Sequence, residues 1–95
     1  MSVEASGPRL TLATGEAGET ISWDGTVFVF RSPRAFAPGA PIRLSLALGE
    51  HAVDLELKAI GSRRGEGEAH FLVRGRAMNL RREARALLDA ALRTA

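Results

Sequence analysis

Along most of the chain, apolar and polar residues alternate with the period of two that a strand covered on one face requires. The clearest run is Ile42 to Leu48, where Ile42, Leu44, Leu46 and Leu48 face one way and Arg43, Ser45 and Ala47 the other. Gly49-Glu50-His51 interrupts it. Val53 to Ile60 then sets Val53, Leu55, Leu57 and Ala59 against Asp54, Glu56 and Lys58. Two such runs joined by a three-residue link containing Gly predict an antiparallel hairpin. Upstream, Arg9 to Ala13 predicts a short strand with Leu10 and Leu12 on one face, and Thr14 to Gly18 reads as a turn. Glu19 to Trp23 predicts a second strand, with Ile21 and Trp23 on one side and Thr20 and Ser22 on the other. Asp24-Gly25 signals a reversal, because Gly tolerates positive φ and Asp bonds back to nearby backbone. Thr26 to Phe30 (T-V-F-V-F) is β-branched and aromatic throughout, as expected of a strand covered on both sides.

Arg31 to Ala40, with Pro33, Pro38 and Gly39, reads as a loop, and Gly61 to Gly67 as a flexible charged loop before a last strand from Ala69 to Arg74. The period changes at Asn79. From there Leu80, Ala84, Leu87, Leu88, Ala91 and Leu92 form one helical stripe, with Asn79 as the expected N-cap. Arg81, Arg82, Arg85 and Arg93 fall mainly on the outer surface of this helix, expected over about 79–93. Six short strands followed by one amphipathic helix predict an α+β chain, mainly β: a small six-stranded antiparallel barrel with a C-terminal helix. Residues 1–8 lack periodicity and read as a flexible tail; residues 9–95 read as one domain.

A length of 95 residues suits a single domain, and 45% apolar with 25% charged residues is an ordinary globular composition. Cys is absent, which excludes disulfides, thiolate zinc sites and cysteine catalysis. No stretch has the ~18 apolar residues of a membrane-spanning helix, and the N-terminus has neither the basic start nor the apolar run of a signal peptide. The expected setting is therefore cytoplasmic. The pI of about 10.4 overstates the basic character. Net charge is only +2, and the pI is high because twelve of the thirteen basic residues are Arg. With five aromatics and carboxylates scattered among the cations, composition argues against a nucleic-acid binder.

The run Thr20 to Gly25, T-I-S-W-D-G, resembles the second signature of PilZ domains, bacterial modules that bind cyclic di-GMP. That signature is Asp or Asn, any residue, Ser, two residues and Gly, leading into an apolar strand. Ser22 and Gly25 match, T-V-F-V-F follows, and Thr20 stands where the Asp or Asn belongs. The resemblance covers roughly residues 9–93: a proline-bearing loop, a leucine-alternating strand, its hairpin partner, a last strand and a terminal helix. It implies a PilZ-like regulatory domain acting in a process such as motility.

The family's other signature, two arginines separated by three residues upstream of the Ser motif, is missing. Only Arg9 precedes Ser22, and Ala5 lies four residues before it. Charge-assisted contacts are worth about 1.5–3 kcal/mol each, and losing two weakens binding by roughly two to four orders of magnitude. Cyclic di-GMP is therefore a disfavoured cofactor. A residual ligand site would use Arg9, Ser22, Gly25 and Arg31. The reading favoured instead is an adaptor that contacts another protein, with Arg34, Arg81, Arg82 and Arg85 as candidate contacts. A small Arg-rich nucleic-acid-binding barrel is the further alternative.

Each of these residues also has an ordinary structural role open to it. Ser22 can satisfy backbone groups at a turn, and Gly25 can serve the turn alone. Arg31 and Arg34 bracket Ser32-Pro33, where they would hold a phosphate or carboxylate, and Arg63-Arg64 lies in the expected charged loop. His51 and His70 have no second ligand at metal spacing, so no metal site is expected. No nucleophile has a base-and-orienter pattern, and no phosphate-cradling Gly-rich motif opens a helix, so no catalytic residue is assigned. Phe36 and Met78 are candidates for an oligomer surface, and a homodimer stays open.

Overall fold

The computed structural model describes residues 8–64 and 70–92. The strands are β1 (Arg9–Leu12), β2 (Ala17–Trp23), β3 (Val27–Ser32), β4 (Pro41–Leu48), β5 (His51–Arg64) and β6 (Phe71–Ala77), followed by helix α1 (Arg82–Leu92). All neighbouring strands are antiparallel, and the order β1-β2-β3-β6-β5-β4 closes on itself through β1 and β4 into a barrel. The alternating leucines of β4 and β5 face its interior with Leu10, Leu12, Trp23, Phe28, Phe30 and Val73. Gly18 is needed where β1, β2 and β3 converge. A Cβ there would sit 2.6 Å from the Arg31 carbonyl oxygen and 2.9 Å from Leu10 Cδ1.

Several elements depart from the pattern read along the sequence. β2 begins at Ala17, inside the expected turn, and β3 runs on to Ser32, into the expected loop. The β4–β5 turn has two residues, not three: Leu48 pairs with His51, and Gly49 takes φ +63° at the first turn position, as a type II′ hairpin requires. Gly61 to Arg64 continue β5 instead of forming a loop; residues 65–67 lie outside the described residues, as do Ala69 and residues 1–7 of the expected tail. The last strand runs on to Ala77. The helix starts at Arg82, and the first of its i→i−4 bonds is donated by the Arg85 amide to the Arg81 carbonyl. Asn79 is therefore not the cap. It takes φ +50° in the connection from β6, a conformation Asn tolerates better than most residues.

Two β-bulges matter more for function. Thr20 pairs with Phe30 and Ser22 with Val29, leaving Ile21 as an extra residue in β2. Thr20 consequently points inward beside Phe30, and Ile21 and Ser22 both point outward, reversing the sides expected of Thr20 and Ile21. In β5, Ala59 pairs with Gly75 and Gly61 with Arg74, leaving Ile60 as the extra residue. The two bulge isoleucines are exposed (37% and 38%), as is Met78. β3 is buried on its inner side only, since Val27 and Val29 are half-exposed on the outside.

Helix α1 buries Leu88 fully and leaves Ala84, Leu87 and Leu92 half-buried against the barrel, with Leu80 just before it also half-buried; Ala91 is exposed. Phe36 is also half-buried, edge-on to Phe30 with ring centroids 6.4 Å apart, which makes it part of the core packing.

Candidate functional site

The β2–β3 corner is built by Asp24. Its Oδ1 accepts hydrogen bonds from the backbone amides of Thr26 (2.8 Å) and Val27 (2.7 Å), and Gly25 supplies φ +100°. Gly25 is buried because the helix uses it: Arg85 Nη1 donates to the Gly25 carbonyl oxygen, and the same guanidinium lies 5.9 Å from the Trp23 ring centroid. Trp23 Nε1 donates to Asp89 Oδ1 at 2.8 Å. Arg85, proposed from sequence as a partner contact, is thus held as a strut between helix and corner. Asp89, which the sequence did not single out, anchors the other end.

On the outer face, Arg9, Glu19 and Arg31 form one row across β1, β2 and β3. Arg31 Nη1 lies 2.8 Å from Glu19 Oε1, both side chains being a little over 40% exposed. Such an exposed pair adds little stability. It does fix the Arg31 guanidinium on a carboxylate that stands between the two arginines. Ser22 is exposed beyond this row, beside Val29. The structure therefore brings Arg9, Ser22 and Arg31 to one face, with an anion already among them. Thr20 does not join them; it is 1% exposed, and its Oγ1 is buried without a hydrogen-bond partner.

Arg31 and Arg34 do not converge on a common ligand. Arg34 Nη1 lies 3.8 Å from Glu16, and its Cζ lies 5.2 Å from the Phe36 ring centroid. Between them Ser32 is buried, its Oγ donating to the Arg34 carbonyl (2.7 Å) and accepting from the Arg34 amide (3.0 Å). Arg81 and Arg82 are exposed at the start of α1; Arg93 lies outside the described residues. Arg81 borders an open groove of about 910 Å³ between α1 and the β4–β5 hairpin. Its lining mixes Leu80, Ala84 and Leu87 with Arg43, Asp54 and Glu56. Among the described residues no helix is long and apolar enough to cross a membrane, and no three His, Asp or Glu side chains are grouped to hold a metal ion.

A second basic region was not singled out from the sequence. Lys58 and Arg63 of β5, Arg74 and Arg76 of β6 and Arg31 of β3 all face outward on three adjacent strands. Lys58 stands directly opposite Arg76, an arrangement that costs stability in an antiparallel pair. The signal available was the alternation Leu72, Arg74, Arg76, which extends the final strand beyond Arg74 and puts both arginines on one side.

Compared with known proteins, the chain matches no family model, no curated protein and no solved structure.

Proposed function

We propose that this chain is a non-catalytic, PilZ-like regulatory domain that works in the bacterial cytoplasm by contacting another protein, without binding cyclic di-GMP in the family's usual way. The observation that carries this reading is the state of the half-kept signature. Ser22 is presented outward, whereas Thr20, at the position of the signature's Asp or Asn, is sealed inside the barrel by the bulge at Ile21. No polar group at that position reaches a ligand on the outside. Glu19 adds a negative charge between Arg9 and Arg31, which opposes a phosphate there.

A weak or atypical cyclic di-GMP receptor is the second reading, favoured by the meeting of Arg9, Ser22 and Arg31 on one face. Affinity capture with the tagged chain from its host cell separates the two. The adaptor reading expects the same protein to be retained with and without added cyclic di-GMP, and equally by Ser22→Ala. Retention that requires the nucleotide, or that Ser22→Ala abolishes, overturns it.

A further inference from the structure

The two bulges open onto the same part of the barrel. Ser22, Val29, Arg74 and Gly61 form one row across β2, β3, β6 and β5, and the extra residues Ile21 and Ile60 interrupt the ladder at its two ends. Each bulge turns a large aliphatic side chain toward solvent, an unfavourable arrangement for an isolated domain. Beside Ile60 the surface is open: a Cβ built on Gly61 would meet nothing within 4 Å. Half-exposed Val27, Val29 and Leu72 continue the apolar strip along β3 and β6.

Basic residues surround that strip. The row Val27–Arg76–Lys58 lies on one side and Arg31–Leu72–Arg63 on the other, with Arg74 in the middle. Among the described residues, no ion pair joins Lys58, Arg63, Arg74 or Arg76 to a carboxylate; only Arg31 is paired, with Glu19. A strip of exposed valine, isoleucine and leucine inside a ring of unpaired cations is complementary to a segment that alternates aliphatic and acidic residues. It suits a nucleic acid less well, because among the described residues no aromatic side chain is fully exposed on this face for base stacking: Trp23, Phe28 and Phe30 are buried in the core, and Phe36 and Phe71 are half-buried against it. The closed barrel also leaves no free edge here for strand addition, so recognition must run through side chains.

We infer that the outer face of β3, β6 and β5 is a docking surface for an acidic, aliphatic segment of a partner protein. This inference rests on the protein-contact reading above and gives the partner its chemistry. About twelve extended residues reach roughly 40–43 Å, enough to cross the molecule along its longest extent of 37 Å.

The test uses a synthetic peptide of about that length, alternating Glu with Leu, titrated into the ¹⁵N-labelled protein at low salt. Amide shifts are expected at Val29, Gly61, Leu72 and Arg74. Affinity should fall as salt screens the contact, and the combined variant Lys58→Glu/Arg74→Glu/Arg76→Glu should bind at least about tenfold more weakly. The single variant Arg74→Glu should weaken binding several-fold, and it serves if the combined variant fails to fold. A peptide with Ser in place of Leu should also bind more weakly, since the aliphatic strip is part of the site. Absence of binding at low salt overturns the inference, as does tighter binding of an oligothymidine to the same face. Peptide shifts confined to Arg81 and Arg82 overturn it too, while leaving the protein-contact reading standing. Displacement of the peptide by cyclic di-GMP would overturn the protein-contact reading itself.

Discussion

Thr20 shows how a single side chain decides what the signature can do. Its hydroxyl is buried beside Phe30 with no hydrogen-bond partner, a situation that costs about 1–3 kcal/mol in lost hydration. Thr20→Val keeps the branched shape and removes the stranded oxygen. It is expected to leave the barrel as stable or to raise its stability by about 1 kcal/mol in urea denaturation. A loss of more than about 1 kcal/mol would mean that the hydroxyl has a partner after all. Thr20→Asp, which places the residue of the PilZ signature at this position, should do the opposite: an unpaired carboxylate inside the barrel costs about 3 kcal/mol or more. Expression of that variant as a stable, nucleotide-binding protein would contradict the inward placement.

At the scale of elements, the strands were legible because one face of each is packed in the barrel, so the core itself imposes the period of two on β4 and β5. The bulges were not. T-I-S-W alternates as an unbroken strand would, with Ile21 and Trp23 on one side, and only pairing of Thr20 with Phe30 and Trp23 with Phe28 across β3 shows that Ile21 is surplus. The helix stripe was legible, but its start was not, because Asn79 serves a left-handed connection as readily as a cap. The basic face was hidden for a third reason: the cations of β5 and β6 are joined by Arg31 of β3, a strand distant in sequence that only the β3–β6 pairing brings beside them. The helix gives the prediction at this scale. Its docking rests on Leu88, on the Trp23–Asp89 hydrogen bond and on Arg85. Leu88→Ala should cost about 2–4 kcal/mol and change the fluorescence of Trp23, the chain's one tryptophan. An unchanged melting midpoint and emission would show that α1 does not depend on this contact.

The whole molecule is a barrel without free edges, capped at one corner by a helix and carrying its exposed chemistry on the outside. Two regions of that exterior compete for the functional role. The stretch of β2 and β3 from Glu19 to Gly25 bears the resemblance to the PilZ signature, but Glu19 already engages Arg31 at its far end, and Gly25 at the corner is used to hold α1. The face of β3, β6 and β5 has unpaired cations and exposed aliphatic side chains. If the chain works as proposed, the first region is closed to the nucleotide and function is carried by contacts elsewhere. Amide NMR of the intact protein titrated with cyclic di-GMP tests this most directly. Unchanged spectra up to millimolar nucleotide are expected. Localised shifts at Arg9, residues 19–25 and Arg31 would contradict it and make the chain a nucleotide receptor.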